Sequence, residues 1–457
     1  MNPMHVADLT LLYALVTVGC GGTSSRSTTD ASAGSSSASS SRGSGASSSA
    51  SSSSVPDEGR DSGTGTSSST SFAGSVSSSA SSGASASGTP ESGAARYTAV
   101  AGGNAHTCAL SAAGGVQCWG FNFFGELGNN STIALSPVPV AVTGLSSGMV
   151  AVSAGRGDAC ALSSTGALQC WGSNGDGVLG TGSPCPDAGP CQSDFPVGVS
   201  GLSSGVSAVS AGDYHSCALT MAGGVMCWGD NEFGDVGDNS DIDRLAPVQV
   251  MGLTSGVQAV AAGNAHTCAV TTAGAVMCWG QNEYGQLGDN STSANPFPLA
   301  VQGLSSGATS VTAGFGHSCA VAAGGAAMCW GDNEYAQLGN GTSTMSSVPV
   351  AVSGLSSGVV TISAGSEHTC VVTTAGAAEC WGNNTYGQLG DGTTTASNVP
   401  VVVSGLSSGV ASLSAGYEHT CVVTTAGDVE CWGRNDNGEL GNNTTTQSNV
   451  PVSVVGL

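Results

Sequence analysis

The chain of 457 residues contains no lysine, only 8% of its residues are charged and only 5% are aromatic. Without lysine there is no Schiff-base amine and no phosphate-anchoring Gly-Lys-Ser or Gly-Lys-Thr loop, and no strand-turn-helix unit carries Gly-x-Ser-x-Gly. Seven arginines face 30 carboxylates, a formal net charge of -23. That field repels phosphate backbones and anionic lipid head groups, so nucleic acid is not an expected partner. Long-chain helix formers such as Glu, Gln, Arg and Met are scarce and Lys is absent, whereas glycine occupies 72 positions. Such a composition favours many turns joined by short strands and predicts an all-β fold.

No apolar run is long enough to span a bilayer. The longest near the amino end, residues 9–19 (LTLLYALVTVG), precedes Cys20 and has the length of a signal-peptide core. Gly19-Cys20 is similar to the processing box of bacterial lipoproteins, in which the cysteine becomes the lipidated first residue. Thr17 stands where that box has leucine, and residues 1–8 hold no Lys or Arg. Residues 1–20 are accordingly expected to be an export signal with Cys20 as a lipid anchor. The chain would then sit at the cell surface or outer membrane, with plain secretion as the alternative. Residues 21–96 are Ser, Gly and Ala with scattered acids and lack the apolar content to offset the entropy of ordering. They read as a flexible linker with a root-mean-square span of roughly 50 Å.

The tryptophans, Trp119, Trp171, Trp228, Trp279, Trp330, Trp381 and Trp432, mark seven repeats with a period near 51. Each repeat runs through a short alternating segment ending in Ala-Gly or Gly-Gly and then His-Thr-Cys or a variant. A turn, Cys-Trp-Gly, a Gly-rich loop and a proline-led segment follow. Several short strands per period of this length fit a propeller blade better than a helical solenoid. Residues 97–457 are therefore predicted to form one domain, a seven-bladed β-propeller. The proline-led strands number seven, but none precedes the first hairpin and the last, at 451–455, has no hairpin after it. That terminal strand is expected to complete the first blade and so close the ring.

The stretch AGNAHTCAVTTAGAVMCWGQNEYGQLGDN resembles the regulator of chromosome condensation repeat, with its AGxxHS, Trp-Gly and GQLG elements, and the match recurs in all seven repeats. The resemblance implies a seven-bladed propeller closed by a terminal strand. It leaves function open, since the fold includes a nuclear guanine-nucleotide exchange factor, a plant ultraviolet-B photoreceptor and a secreted β-lactamase inhibitor.

Setting Cys20 aside, sixteen cysteines remain. Fourteen form seven pairs ten residues apart: Cys108 with Cys118, Cys160 with Cys170, Cys217 with Cys227, Cys268 with Cys278, Cys319 with Cys329, Cys370 with Cys380 and Cys421 with Cys431. Cys185 and Cys191 make the eighth. An even set suits disulfides in an oxidising compartment. In HTCAVTTAGAVMCWG, a three-residue loop at Thr272-Ala273-Gly274 places Val270 opposite Val276 and Cys268 opposite Cys278. This is a non-hydrogen-bonded site, where side chains are closest. His266 shares that face, so one imidazole and two thiolates are an alternative metal set, but it lacks a fourth ligand. The favoured reading has the histidine hydrogen-bonded within its blade. No metal or cofactor is expected.

A ligand site differs from blade to blade where a structural motif must recur. The two positions before each histidine vary, and Arg156, Asp213, Tyr214, Phe315, Glu367, Tyr417 and Glu418 make a candidate binding surface of aromatics and charges. The insertion bracketed by Cys185 and Cys191 is a second candidate. Phe124, Phe233, Tyr284, Tyr335 and Tyr386 recur after Cys-Trp-Gly, which favours packing against the next blade. Asp and Asn in GDNEFGDVGDNSDID lack calcium-loop spacing and read as turn residues. Arg156-Gly157-Asp158 spells an adhesion tripeptide too short to carry weight. No catalytic arrangement stands out. The expected function is a non-enzymatic, monomeric scaffold that binds a protein or glycan, with an enzyme inhibitor or a guanine-nucleotide exchange factor as alternatives.

Overall fold

The computed structural model describes residues 97–131, 133–184 and 191–457. The export signal, Cys20, the linker and Cys185 lie outside the described residues. From Tyr97 the chain forms seven antiparallel sheets of four strands each. The first blade consists of Tyr97–Gly102, His106–Ser111, Val116–Phe121 and Leu135–Ala141, and the seventh of Val410–Ala415, His419–Thr424, Val429–Gly433 and Ser448–Ser453. In every blade the strands pair in sequence order. The first strand lines a central channel, and the fourth, proline-led strand lies outermost, where its missing N–H is tolerated.

Strand order corrects the expected closure. The terminal strand Ser448–Ser453 pairs with Val429–Gly433 of its own blade, and the first blade is completed by Leu135–Ala141. The segment Tyr97–Gly102, ahead of the first hairpin, supplies an inner strand, so each blade is whole in sequence and none borrows a strand. The ring closes by the same lateral packing that joins every other pair of blades. Between the seventh and first, Trp119 Nε1 donates to the Glu439 carbonyl at 2.7 Å, and Gly102 N donates to Ser414 Oγ at 3.0 Å.

That packing follows from strand alternation. Successive side chains on a strand point to opposite faces, so in Cys278-Trp279 the cysteine faces the following blade and the tryptophan the preceding one. All seven hydrophobic clusters have this composition. The disulfide of one blade packs with the tryptophan of the next, as Cys217 and Cys227 do with Trp279, and Cys421 and Cys431 with Trp119. All seven tryptophans are fully buried. Each donates its indole N–H to a main-chain carbonyl of the preceding blade, as Trp279 does to Asp235 at 2.9 Å. Removing one ring would cost about 3–5 kcal/mol.

The cross-strand disulfides form in all seven blades. Cys268 lies directly opposite Cys278 with Cα atoms 4.1 Å apart, and Val270 lies opposite Val276. The turn closes through Gly274, at φ +78°.

Candidate interaction face

In a four-stranded antiparallel blade the loops joining strands one to two and three to four emerge at the same end. The positions before each histidine and the Gly-rich loops therefore share one face of the ring, while residues 185–190 of the second candidate, the insertion, lie outside the described residues. The other face carries the hairpin turns and the connections between blades, which repeat Gly-Leu-Ser-Ser-Gly almost unchanged. Its turns and connections contain one carboxylate, Asp428, and no arginine. The loop face holds most of the acids of the ring.

A ring of backbone contacts shapes the channel mouth on this face. In every blade the glycine three positions before the histidine, or before Asp158 in the second blade, approaches the matching glycine of the next so closely that an added Cβ would collide. At Gly314 it would lie 2.5 Å from the Gly365 carbonyl oxygen, and at Gly365 2.3 Å from that of Gly416. Where the residue two before this glycine is Ser or Thr, its hydroxyl accepts an N–H from the next blade, as Ser153 does from Ala211 at 3.0 Å.

The histidines stand just below. Contrary to the expectation of bonding within the blade, His266 Nε2 bonds to Ser318 Oγ of the following blade at 2.8 Å. Ser318 in turn donates to the Gln286 carbonyl at 2.8 Å, which also receives the Trp330 indole. Because the hydroxyl spends its hydrogen on that carbonyl, the imidazole must be the donor, a neutral ring protonated at Nε2. Burial pushes His266 and His317 down to about 3 and His215 and His368 down to about 4. With Cys268 and Cys278 joined in a disulfide, the alternative metal set loses both of its thiolates.

The relay breaks at the second blade, which has Asp158-Ala159 for His-Thr. His106 Nε2, Asp158 Oδ2 and Ser216 Oγ are buried without partners. Burial, then the charges of Asp213 and Glu126, push Asp158 well above the usual carboxylate range.

The sequence-predicted residues separate into two groups. Asp213, Phe315 and Tyr417 line an open cavity at the channel mouth, together with Asn104, Asn264 and Ser366. Asn264 Nδ2 donates to Asp213 Oδ2 at 2.8 Å. Burial pushes the Asp213 carboxyl up, against the Asn264 bond and the charge of Arg156. Arg156, Tyr214, Glu367 and Glu418 lie around that cavity rather than in its wall. Arg156 stacks on Tyr214, with Cζ 4.8 Å from the ring centre, and Arg434 pairs with Glu418 at 2.5 Å. Glu367 accepts a bond from Asn383 Nδ2 at 2.6 Å.

Of the aromatic set after Cys-Trp-Gly, Tyr284 and Tyr386 reach the neighbouring blade. Tyr284 lies under Gly316, and Arg434 lies over Tyr386 at 5.2 Å. Phe124 and Tyr335 nonetheless remain 41% exposed. The Asn and Asp side chains of the Gly-rich loops bond their own backbone: Asn231 Oδ1 accepts from Val236 N at 2.9 Å and its Nδ2 donates to the Ile242 carbonyl at 3.0 Å. That asparagine recurs in every blade, and its regular spacing from Trp is the signal that could have assigned it.

Residues 15–357 match the RCC1-like domain, and residues 380–423, with 359–388 and 410–439, match the regulator of chromosome condensation (RCC1) repeat. The chain belongs to the RCC1-repeat family. It is 31% identical over 364 residues to the ultraviolet-B receptor UVR8 of Arabidopsis thaliana, covering 78% of this chain and 81% of that one. It is 32% identical over 352 residues to the E3 ubiquitin-protein ligase HERC2 of Homo sapiens, 75% of this chain but only 7% of the length of HERC2. Among solved structures, human WBSCR16 superposes with a TM-score of 0.64 at 25% identity, covering 75% of this chain and 94% of that one. Yeast RCC1 (Prp20) bound to Kap60 gives 0.65 at 19% identity, covering 74% and 83%. Within the RCC1 fold, the departures of this chain from its own repeat concentrate on the loop face.

Proposed function

We propose that this RCC1-repeat propeller is a non-enzymatic binding scaffold that engages a protein, or a glycan on one, through the loop face. The observation that carries the reading is the asymmetry of the ring. One face repeats a neutral Gly-Leu-Ser-Ser-Gly connection, and the other gathers the variable loops, their aromatics and most of the charge. Exposed loops on a rigid ring are where recognition residues accumulate. On the same fold yeast Prp20 is seen with Kap60, and the binding of Prp20p to Gsp1p and histones has been studied. In this proposal residues 1–20 direct export, lipid on Cys20 tethers a monomer at the cell surface or outer membrane, and residues 21–96 let the ring stand clear of it. Seven disulfides support an oxidising location.

The test is affinity capture of surface proteins and glycans by the full chain. Three forms are compared: the wild type, a Phe315→Ala/Tyr417→Ala double variant at the channel mouth, and Asp428→Asn on the opposite face. The expected result is a partner retained by the wild type and by D428N and lost by the double variant. A partner retained equally by all three places binding elsewhere.

A further inference from the structure

The Gly-rich loop of the first blade departs from its six counterparts. Phe121 stands where the others have Ser173, Asp230, Gln281, Asp332, Asn383 and Arg434. Phe123 stands where they have Gly175, Glu232, Glu283, Glu334, Thr385 and Asp436. Two polar positions have become apolar on a surface that is otherwise acidic. Phe123 is 64% exposed and meets the ring of Phe124 edge-on at 5.1 Å, and Phe121 stacks on Phe123 at 6.3 Å. Ile133, 70% exposed, closes the same loop. Phe195, 47% exposed, belongs to the outer strand of the second blade, which docks here through the Asn130 N–H on the Asp194 carbonyl at 2.8 Å.

The loop that presents these rings is held from within. Asn122 Nδ2 donates to the Ile133 carbonyl at 2.8 Å and Asn122 Oδ1 accepts from Leu127 N at 2.9 Å. Burying the rings therefore costs little ordering entropy, and stacked, exposed rings with further exposed apolar side chains on the same and the adjoining element mark an interaction site.

Charge decides the occupant. Among the described residues every arginine is already engaged: Arg156 on Tyr214, Arg244 with Asp238 at 2.5 Å, and Arg434 with Glu418 and Asp436. The six histidines of the ring are buried. Among the described residues no arginine of the loop face is left unengaged to receive an acidic partner, and a second copy would bring the same negative field against it. We infer that the Phe121, Phe123, Phe124, Ile133 and Phe195 patch docks a basic segment of a partner protein, with an apolar side chain on the rings and flanking Lys or Arg over the surrounding carboxylates. The inference extends the loop-face reading from the channel mouth to the rim and uses none of the channel-mouth residues.

The experiment is fluorescence anisotropy on the full chain. The probe is a labelled 12-residue peptide of lysine and leucine, compared with glutamate/leucine and lysine/serine peptides of the same length. The lysine/leucine peptide should bind. Phe123→Ser/Phe124→Ser, which leaves the charge unchanged, should weaken it at least tenfold. The single, highly exposed F123S should weaken it in the same direction with an unchanged melting curve. F315A/Y417A should leave it within twofold, so that failure of the channel-mouth reading is scored separately. The inference is overturned if the lysine/serine or glutamate/leucine peptide binds as tightly, if the serine variants bind like wild type, or if sedimentation shows the chain pairing with itself through the patch.

Discussion

At the residue scale, the histidine relay turns a repeated triplet into a seam between blades. His266, His317 and His368 each donate to a Ser or Thr of the following blade at 2.8 to 2.9 Å. Ala159 withdraws the hydroxyl that His106 would meet. Ala159→Thr should restore it and stabilise the protein by about 1 kcal/mol, read as a higher melting temperature; a lower one would mean the second-blade seam has no room for the group. Glu126 makes a second case. It is buried where the fourth, fifth and sixth blades carry Gln286, Gln337 and Gln388, and burial pushes its carboxyl up to about 7. In the unfolded chain it titrates near about 4.3. The unfolded state therefore releases this proton first, and stability falls as pH rises through that window. Glu126→Gln should raise the melting temperature at pH 8, by on the order of 1–3 kcal/mol in stability, and change it little at about pH 4. The histidines act in the opposite direction. Their folded values are depressed to about 3 or 4, so stability falls as pH drops below their unfolded value of about 6.5. The triplet and its missing member at Asp158 were legible in the sequence. The partner was not, because the hydroxyl lies some 50 residues away on another sheet.

At the scale of elements, the hairpin was the most legible unit. Turn length and alternation alone set the register that puts Cys268 opposite Cys278, since one residue of slip would reverse every side chain. The direction each face takes was not legible: Cys278 packs forward and Trp279 backward only because blades flank the sheet on both sides. The ownership of the last strand was not legible for a related reason. Counting proline-led strands overlooked YTAVAG at Tyr97–Gly102, a short first strand without a proline. The disulfides predict that intact mass after alkylation without reductant shows no modification of the fourteen paired cysteines of the blades. Modification there, with metal released, would contradict the pairing. Cys268→Ala/Cys278→Ala should cost about 2–3 kcal/mol in chemical denaturation.

At the scale of the molecule, seven interfaces, each packing a disulfide against the next tryptophan, make a ring whose last seam is built like the rest. Deleting residues 448–457 should therefore raise amide hydrogen exchange in Val429–Gly433, the strand it pairs with, and leave Val116–Phe121 protected. Loss of protection in Val116–Phe121 would restore the exchanged-strand closure. The functional claim is also made at this scale, from the contrast between a repetitive neutral face and a varied acidic one. Composition showed the charge, and the repeat showed where blades differ, but only the antiparallel order of strands puts those differences at one end. The most direct measurement is a hydrogen-exchange footprint of the full chain with and without its captured partner. Protection in the loops before the histidines and after Cys-Trp-Gly is the predicted result. Protection confined to the Gly-Leu-Ser-Ser-Gly connections would contradict it.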